Sequence, residues 1–80
     1  MEGYCLRTWL LDKPSVFLYY KGMEGNKTVC NALDAVVGFT LDDSLVLDED
    51  AATSLCKRLN EDRVALLANG YSEFEVIKNQ

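Results

Sequence analysis

Residues 4–21 read Tyr4-Cys5-Leu6-Arg7-Thr8-Trp9-Leu10-Leu11, then Asp12-Lys13-Pro14-Ser15, then Val16-Phe17-Leu18-Tyr19-Tyr20-Lys21. Two runs dense in aromatic, β-branched and bulky apolar side chains flank four residues of turn type. Such side chains suit a pleated, half-buried surface. Pro14 fixes its own φ, and its polar neighbours suit turn positions. The pattern predicts an antiparallel hairpin with strands over 4–11 and 16–21. Alternation sets Leu6 and Leu10 against Trp9 and Leu11 in the first strand, and Val16 and Leu18 against Phe17 and Tyr19 in the second. Both faces of the hairpin therefore carry apolar groups.

Outward from the hairpin, Gly22-Met23-Glu24-Gly25-Asn26 reads as a loop on its two glycines. In 28–40, Cys30, Leu33, Val36 and Val37 fall at roughly helical spacing, yet Val36-Val37-Gly38-Phe39-Thr40 is strand-like. Periodicity alone does not separate the two; a third strand is expected between Asp34 and Leu41. Asp48 then opens the clearest helix. Its carboxylate can accept from orphan backbone N–H groups, Glu49 and Asp50 suit the positive end of the helix dipole, and Lys57 and Arg58 suit the negative end. Ala51, Ala52, Leu55, Cys56 and Leu59 form an apolar stripe opposite Thr53, Ser54, Lys57 and Arg58. The stripe breaks at 60–62. Residues 64–68 read as a second short helix ending at Gly70, the alternative being a strand turned through Asn69-Gly70. Residues 71–78 are expected as the last strand, with Phe74 and Val76 on one side and Glu73 and Glu75 on the other.

The resulting fold class is α+β: an antiparallel sheet of about four strands in β-β-β-α-β order, one main helix on one face, and a short helix near 62–69. One such helix leaves the other sheet face uncovered, so aromatic surface is expected there as an interface. Eighty residues, 49% hydrophobic, fit one domain over 1–80 and argue against disorder. A chain of this length buries only about 60% of its unfolded surface. Met1-Glu2-Gly3-Tyr4 lacks a positive leader region, and no apolar run approaches the ~18 residues of a membrane span. A cytoplasmic location is therefore expected, with no membrane partner.

Cys5, Cys30 and Cys56 are odd in number and form no CxxC pair, and histidine is absent. These features predict reduced, mostly buried thiols and neither a disulfide framework nor a zinc site. The sequon Asn26-Lys27-Thr28 stands alone as a pattern. Without histidine, the usual activation of a serine or cysteine nucleophile is lacking. Cys56 lies beside Lys57 and Arg58, which could depress a thiol pKa, but it also falls on the helix stripe and reads first as a core residue. Asp42-Asp43 and Asp48-Glu49-Asp50 pair carboxylates in a loop and a helix start, where water keeps them ionised, and no calcium-loop pattern is present. The chain is thus expected to be no enzyme and to hold no metal or cofactor.

The more informative signal is charge segregation. Residues 28–56 hold no Lys or Arg but include Asp34, Asp42, Asp43, Asp48, Glu49 and Asp50, in a chain of net charge −5. This balance argues against direct nucleic-acid binding, which depends on clustered cations. The plainer interpretation is a solvated acidic edge with a capped helix. The functional one is a patch formed by Asp42, Asp43, Glu49 and Asp50 that engages a basic groove and speeds encounter. Trp9, Tyr19, Tyr20 and Tyr71 are candidate anchors, since Trp and Tyr are enriched at hot spots; each is also needed as bulk for a small core. Trp9 and Tyr19 are the pair expected on the uncovered face.

The aromatic strand pair, then Ala35-Val36-Val37-Gly38-Phe39, then Asp48-Glu49-Asp50-Ala51-Ala52-Thr53-Ser54-Leu55 and Phe74-Glu75-Val76-Ile77, resembles small bacteriophage-encoded accessory proteins. Several anti-CRISPR proteins are similar in size, acidity and strand–helix–strand plan. The resemblance implies an inhibitor that occludes a nucleic-acid-handling site on a host protein or ribonucleoprotein complex, acting in the host cytoplasm, and it transfers no catalytic residue. The alternative is a structural or assembly domain forming a homodimer through the uncovered sheet face.

Overall fold

The computed structural model describes residues 3–23 and 35–79. Residues 24–26 of the expected loop, the sequon, Cys30, Leu33 and Asp34 lie outside them. Strands β1 (Gly3–Trp9), β2 (Phe17–Met23) and β3 (Ala35–Gly38) are followed by helices α1 (Glu49–Glu61) and α2 (Arg63–Asn69) and by β4 (Glu75–Asn79). The sheet runs β3-β2-β1-β4 with every neighbouring pair antiparallel. The first three strands form a meander; the helices then carry the chain across to the far edge of β1. This is the α+β architecture expected from the sequence, with one main helix and one short one.

The hairpin forms where the propensity places it. Arg7 pairs with Tyr19, Thr8 with Leu18 and Trp9 with Phe17. The turn is fastened by Val16 N–H donating to the Lys13 carbonyl at 2.9 Å. Its second strand is longer than expected: Gly22 and Met23 belong to β2 and not to a loop. The register shifts between Tyr20 and Gly22, and Gly22 has φ 140°. This is a β-bulge, and its backbone conformation requires glycine. A glycine that reads as a loop signal thus marks a bend within a strand.

Beyond Tyr19 the bulge draws β2 towards β3 and away from β1. Leu45 N–H donates to the Tyr20 carbonyl at 2.9 Å, and Leu47 exchanges two 2.8 Å bonds with Tyr4. Tyr4 already pairs with Lys78 on its other side, and Tyr20 with Val37. Residues 45–47 therefore occupy the gap where β1 and β2 part.

Both helices pack on one sheet face. The core comprises Leu6 and Tyr20 from the sheet, Phe74 just before β4, Ala52 and Leu59 from α1, and Ala65 and Leu66 from α2. The Phe74 ring meets Tyr20 and Tyr71 edge-on, each with centroids 6.3 Å apart, the arrangement favoured by ring quadrupoles. Asp48 caps α1, accepting from Ala51 N–H at 2.7 Å. The helix runs past the expected break to Glu61, so Arg58 but not Lys57 lies in its last turn. Ala51, placed on the apolar stripe by spacing, is exposed, because it lies in the first turn beside the cap. Asp62 ends α1 and caps α2, accepting from Ala65 N–H at 3.2 Å. Gly70 terminates α2 in the left-handed region at φ 74°, as a helix C-terminal glycine does. The helical alternative for 64–68 therefore holds over the strand.

The last strand is shorter than the expected 71–78. Tyr71 makes only an isolated bridge to Leu10, and Asn60 holds the backbone before β4. Its Oδ1 accepts from Phe74 N–H at 2.7 Å and its Nδ2 donates to the Phe74 carbonyl at 2.9 Å. The amide thus replaces a neighbouring strand for one residue and ties α1 to the entry of β4. Asn60, which reads as a helix breaker, is the link between the two.

Candidate protein-binding surfaces

Strand alternation assigns the side chains away from the helices. Cys5, Arg7 and Trp9 of β1 share that face with Phe17 and Tyr19 of β2 and with Glu75 and Ile77 of β4. No described helix covers it. Trp9 and Tyr19 are therefore brought to one face, as the alternation implies, and both are half-buried. The middle of the face is polar. Arg7 Nε donates to Glu75 at 2.8 Å, and the guanidinium lies 4.2 Å from the Phe17 ring centre. Burial pulls the Arg7 pKa down, but the hydrogen bonds and charges of Glu75 and Tyr19 outweigh it and raise the pKa overall. One cation thus ties together three neighbours that the sequence presents as separate apolar or acidic positions.

The acidic residues lie elsewhere. Asp42 and Asp43 belong to the 3-10 turn Leu41–Asp43, closed by Ser44, whose hydroxyl donates to the Leu41 carbonyl at 2.6 Å. Asp42 is exposed, as are Asp48, Glu49 and Asp50 at the start of α1. The described ion pairs, Arg7–Glu75 and Arg63–Glu73, involve none of these acids. The same segment carries exposed apolar side chains: Phe39 is 75% and Val46 57% exposed. Sequence reasoning missed both: Phe39 reads as part of the strand-like run over 36–40, and Val46 carries no signal of its own. The sign of their exposure is the strand's early end at Gly38. The segment is nevertheless fixed, since its 45–47 backbone is bonded to both Tyr4 and Tyr20.

Trp9 is remote from the 45–47 part of this segment. It lies five residues along β1 from the Tyr4–Leu47 bridge, roughly 17 Å at strand spacing. The acidic 45–50 end of the segment is therefore apart from Trp9, whereas its start adjoins the sheet face around Arg7, because Phe39 follows Gly38, which pairs with Tyr19.

The remaining candidate groups are structural. Tyr20 is buried in the core and Tyr71 packs against it. Cys5 is buried and Cys56 half-buried, and both are free thiols. Cys56 Sγ donates to the Phe74 carbonyl at 3.1 Å beside the Asn60 amide. Burial raises its pKa most; the Asn60 contact opposes this, and Glu73 and Glu75 add to the rise. That favours a protonated thiol over the thiolate a nucleophile requires. Among the described residues, no three His, Cys, Asp or Glu side chains converge as a metal-ligand set, and no helix is long and apolar enough to cross a membrane. Compared with protein-family models, curated proteins and solved structures, the chain matches none.

Proposed function

We propose that this chain is a protein-binding domain that docks the 39–50 segment onto a basic surface of a host protein or ribonucleoprotein complex, as a phage-type, anti-CRISPR-like inhibitor does. The observation that carries this reading is the joint exposure of Phe39 and Val46 with Asp42, Glu49 and Asp50 on one backbone-anchored segment. Exposed apolar groups together with charge are what a binding surface presents: the former supply buried contact, the latter steering and register. Phe39 and Val46 are among the more exposed large apolar side chains of the described residues, which favours this reading over a merely solvated acidic edge.

The fixed backbone adds to this. Docking a segment already held by bonds to β1 and β2 costs little further ordering entropy. The net charge of −5 favours approach to a cationic site that otherwise handles nucleic acid, so the domain competes there without binding nucleic acid itself.

The test is capture of partners from bacterial lysate by the tagged chain at low and high salt. The parallel bait carries Asp42→Lys, Asp43→Lys, Glu49→Lys and Asp50→Lys, with Asp48 left intact because it caps α1. A basic, nucleic-acid-handling complex should be recovered by the wild type, be released by salt and be missed by the folded variant. Equal recovery by both baits would sink the proposal.

A further inference from the structure

The sheet ends in β3 on one side and β4 on the other, and the two edges differ. At the entry of β4 the Asn60 amide occupies both the N–H and the C=O of Phe74, and Glu75 and Lys78 put charge along the strand. β3, Ala35-Val36-Val37-Gly38, has neither charge nor proline, the devices that keep sheet edges from pairing. Val36 is 38% exposed, and Phe39, directly beyond the strand, 75%.

Backbone bonds fix which way the polar groups of β3 point. Leu10 N–H donates to the Val16 carbonyl and Leu45 N–H to the Tyr20 carbonyl, so Val16, Leu18 and Tyr20 turn their backbone groups away from β3. Tyr19 turns its own towards β3, where it pairs with Gly38. Alternation then aims the Val37 N–H and C=O outward, away from β2. Among the described residues, no strand lies on that side. An outward donor and acceptor in an extended backbone are met by another extended backbone.

Charge selects whose. Gly38 lies on one side of β2 and Leu45 reaches it from the other, so residues 39–44 cross that strand. The crossing keeps exposed Asp42 within roughly 5–10 Å of β3, one or two strand spacings, and leads on to exposed Asp48, Glu49 and Asp50. Of the cations on this side, Arg7 is paired with Glu75, Lys13 is offset by its neighbour Asp12, and Lys21 stands exposed on β2. The balance around the edge stays negative. A second copy of the chain would bring the same acids to it, whereas a basic strand would find them complementary.

We infer that an extended, basic segment of a partner protein adds to the outer edge of β3 as a further strand, its backbone pairing with Val37 and its cationic side chains reaching Asp42 and the acids beyond. In strand addition of this kind, main-chain bonds supply affinity and side chains selectivity. The inference rests on the proposed docking of the 39–50 segment and gives that contact its mode.

Amide hydrogen exchange of the wild-type chain tests it, with a peptide of about eight residues alternating lysine and valine as probe and its glutamate counterpart as control. In the free chain, Gly38 N–H should exchange slowly and Val37 N–H fast. The lysine peptide should slow Val37 by at least about tenfold; the glutamate peptide should not. Val37→Pro, which removes the outward N–H, should abolish binding. Because Val37 also packs against the core, exchange in the wild type decides if that variant does not fold. A Val37 N–H already protected in the free chain, or unslowed by millimolar lysine peptide, overturns the inference. So does a lysine peptide that shifts the Asp42 and Glu49 resonances while Val37 exchange is unchanged; that outcome leaves the acidic docking standing without strand addition. Equal slowing by both peptides overturns the basic occupant, and the charge-reversed bait then judges the underlying reading separately.

Discussion

Leu66 and Leu67 follow one another in α2, yet the first is 3% exposed and the second 67%. The same division runs through the molecule. On the inner side of the helices, Leu6, Tyr20, Leu59, Leu66 and Phe74 close one core over one sheet face. On the outer side, α2 and the 39–50 segment present large apolar groups to solvent. A chain of 80 residues has little apolar surface to spare, because small domains bury a lesser share of it. Apolar groups placed outside the core add little to stability, and the proposed contact with another molecule gives those of the 39–50 segment a use.

The contrast is sharpest in stability. Leu59→Ala should cost about 2–5 kcal/mol, since Leu59 is fully buried and truncation leaves a cavity. Leu67→Ala should change stability by less than about 0.5 kcal/mol, as exposed positions do. Urea unfolding of the two variants measures both; comparable losses would erase the distinction between inner and outer sides.

Asn60→Ala comes next. It removes two bonds to the Phe74 backbone and should destabilise by about 1–3 kcal/mol, the range for leaving a partly buried polar group unpaired. Hydrogen exchange at Phe74 N–H should accelerate beyond the global effect. An unaltered exchange rate there would show that the clamp does not hold β4.

Within the acidic segment, Asp48 and Glu49 should separate. Asp48→Ala loses the bond to Ala51 N–H and should cost about 1 kcal/mol. Glu49→Ala should cost only a few tenths, through its dipole interaction. Thermal melts that rank them the other way would contradict Asp48 as the structural acid and Glu49 as the surface one.

The smallest effect concerns pH. Burial raises the folded-state pKa of Cys56, so above the ordinary thiol value, about 8.5, the unfolded chain releases a proton that the native chain keeps. The contribution is fully present below that value and is lost as pH rises through the folded pKa. The urea midpoint should therefore fall less steeply on the alkaline side in Cys56→Ala than in the wild type, whatever their difference at neutral pH. Parallel curves would remove the thiol from the account.

Where local chemistry decides the structure, the sequence was informative. The hairpin follows from two β-rich runs around Pro14, and α1 from the Asp48 cap with its acidic first turn. The expected α2 follows from the turn residue Gly70. What stayed illegible depends on tertiary partners. Gly22 marks a bulge only because β2 changes neighbours there, and Asn60 is a clamp only because Phe74 lies opposite. The alternation brought Trp9 and Tyr19 to one face, but not the Arg7–Glu75 pair between them, since residues 7 and 75 meet only through the β1–β4 pairing. Of the candidate site, the four acids were visible as a charge run. Phe39 and Val46 were not, because exposure of an apolar residue is a property of the finished fold.

The central claim is that the 39–50 segment is the binding surface, and one comparison tests it most directly. Wild type, Phe39→Ala with Asp42→Lys and Glu49→Lys, and Arg7→Ala are each used as bait on the same lysate at low and high salt, after circular dichroism shows them folded. The account predicts that wild type and Arg7→Ala recover the same basic, salt-released complex and that the segment variant does not. Recovery by the segment variant together with loss by Arg7→Ala would contradict it and assign recognition to the sheet face.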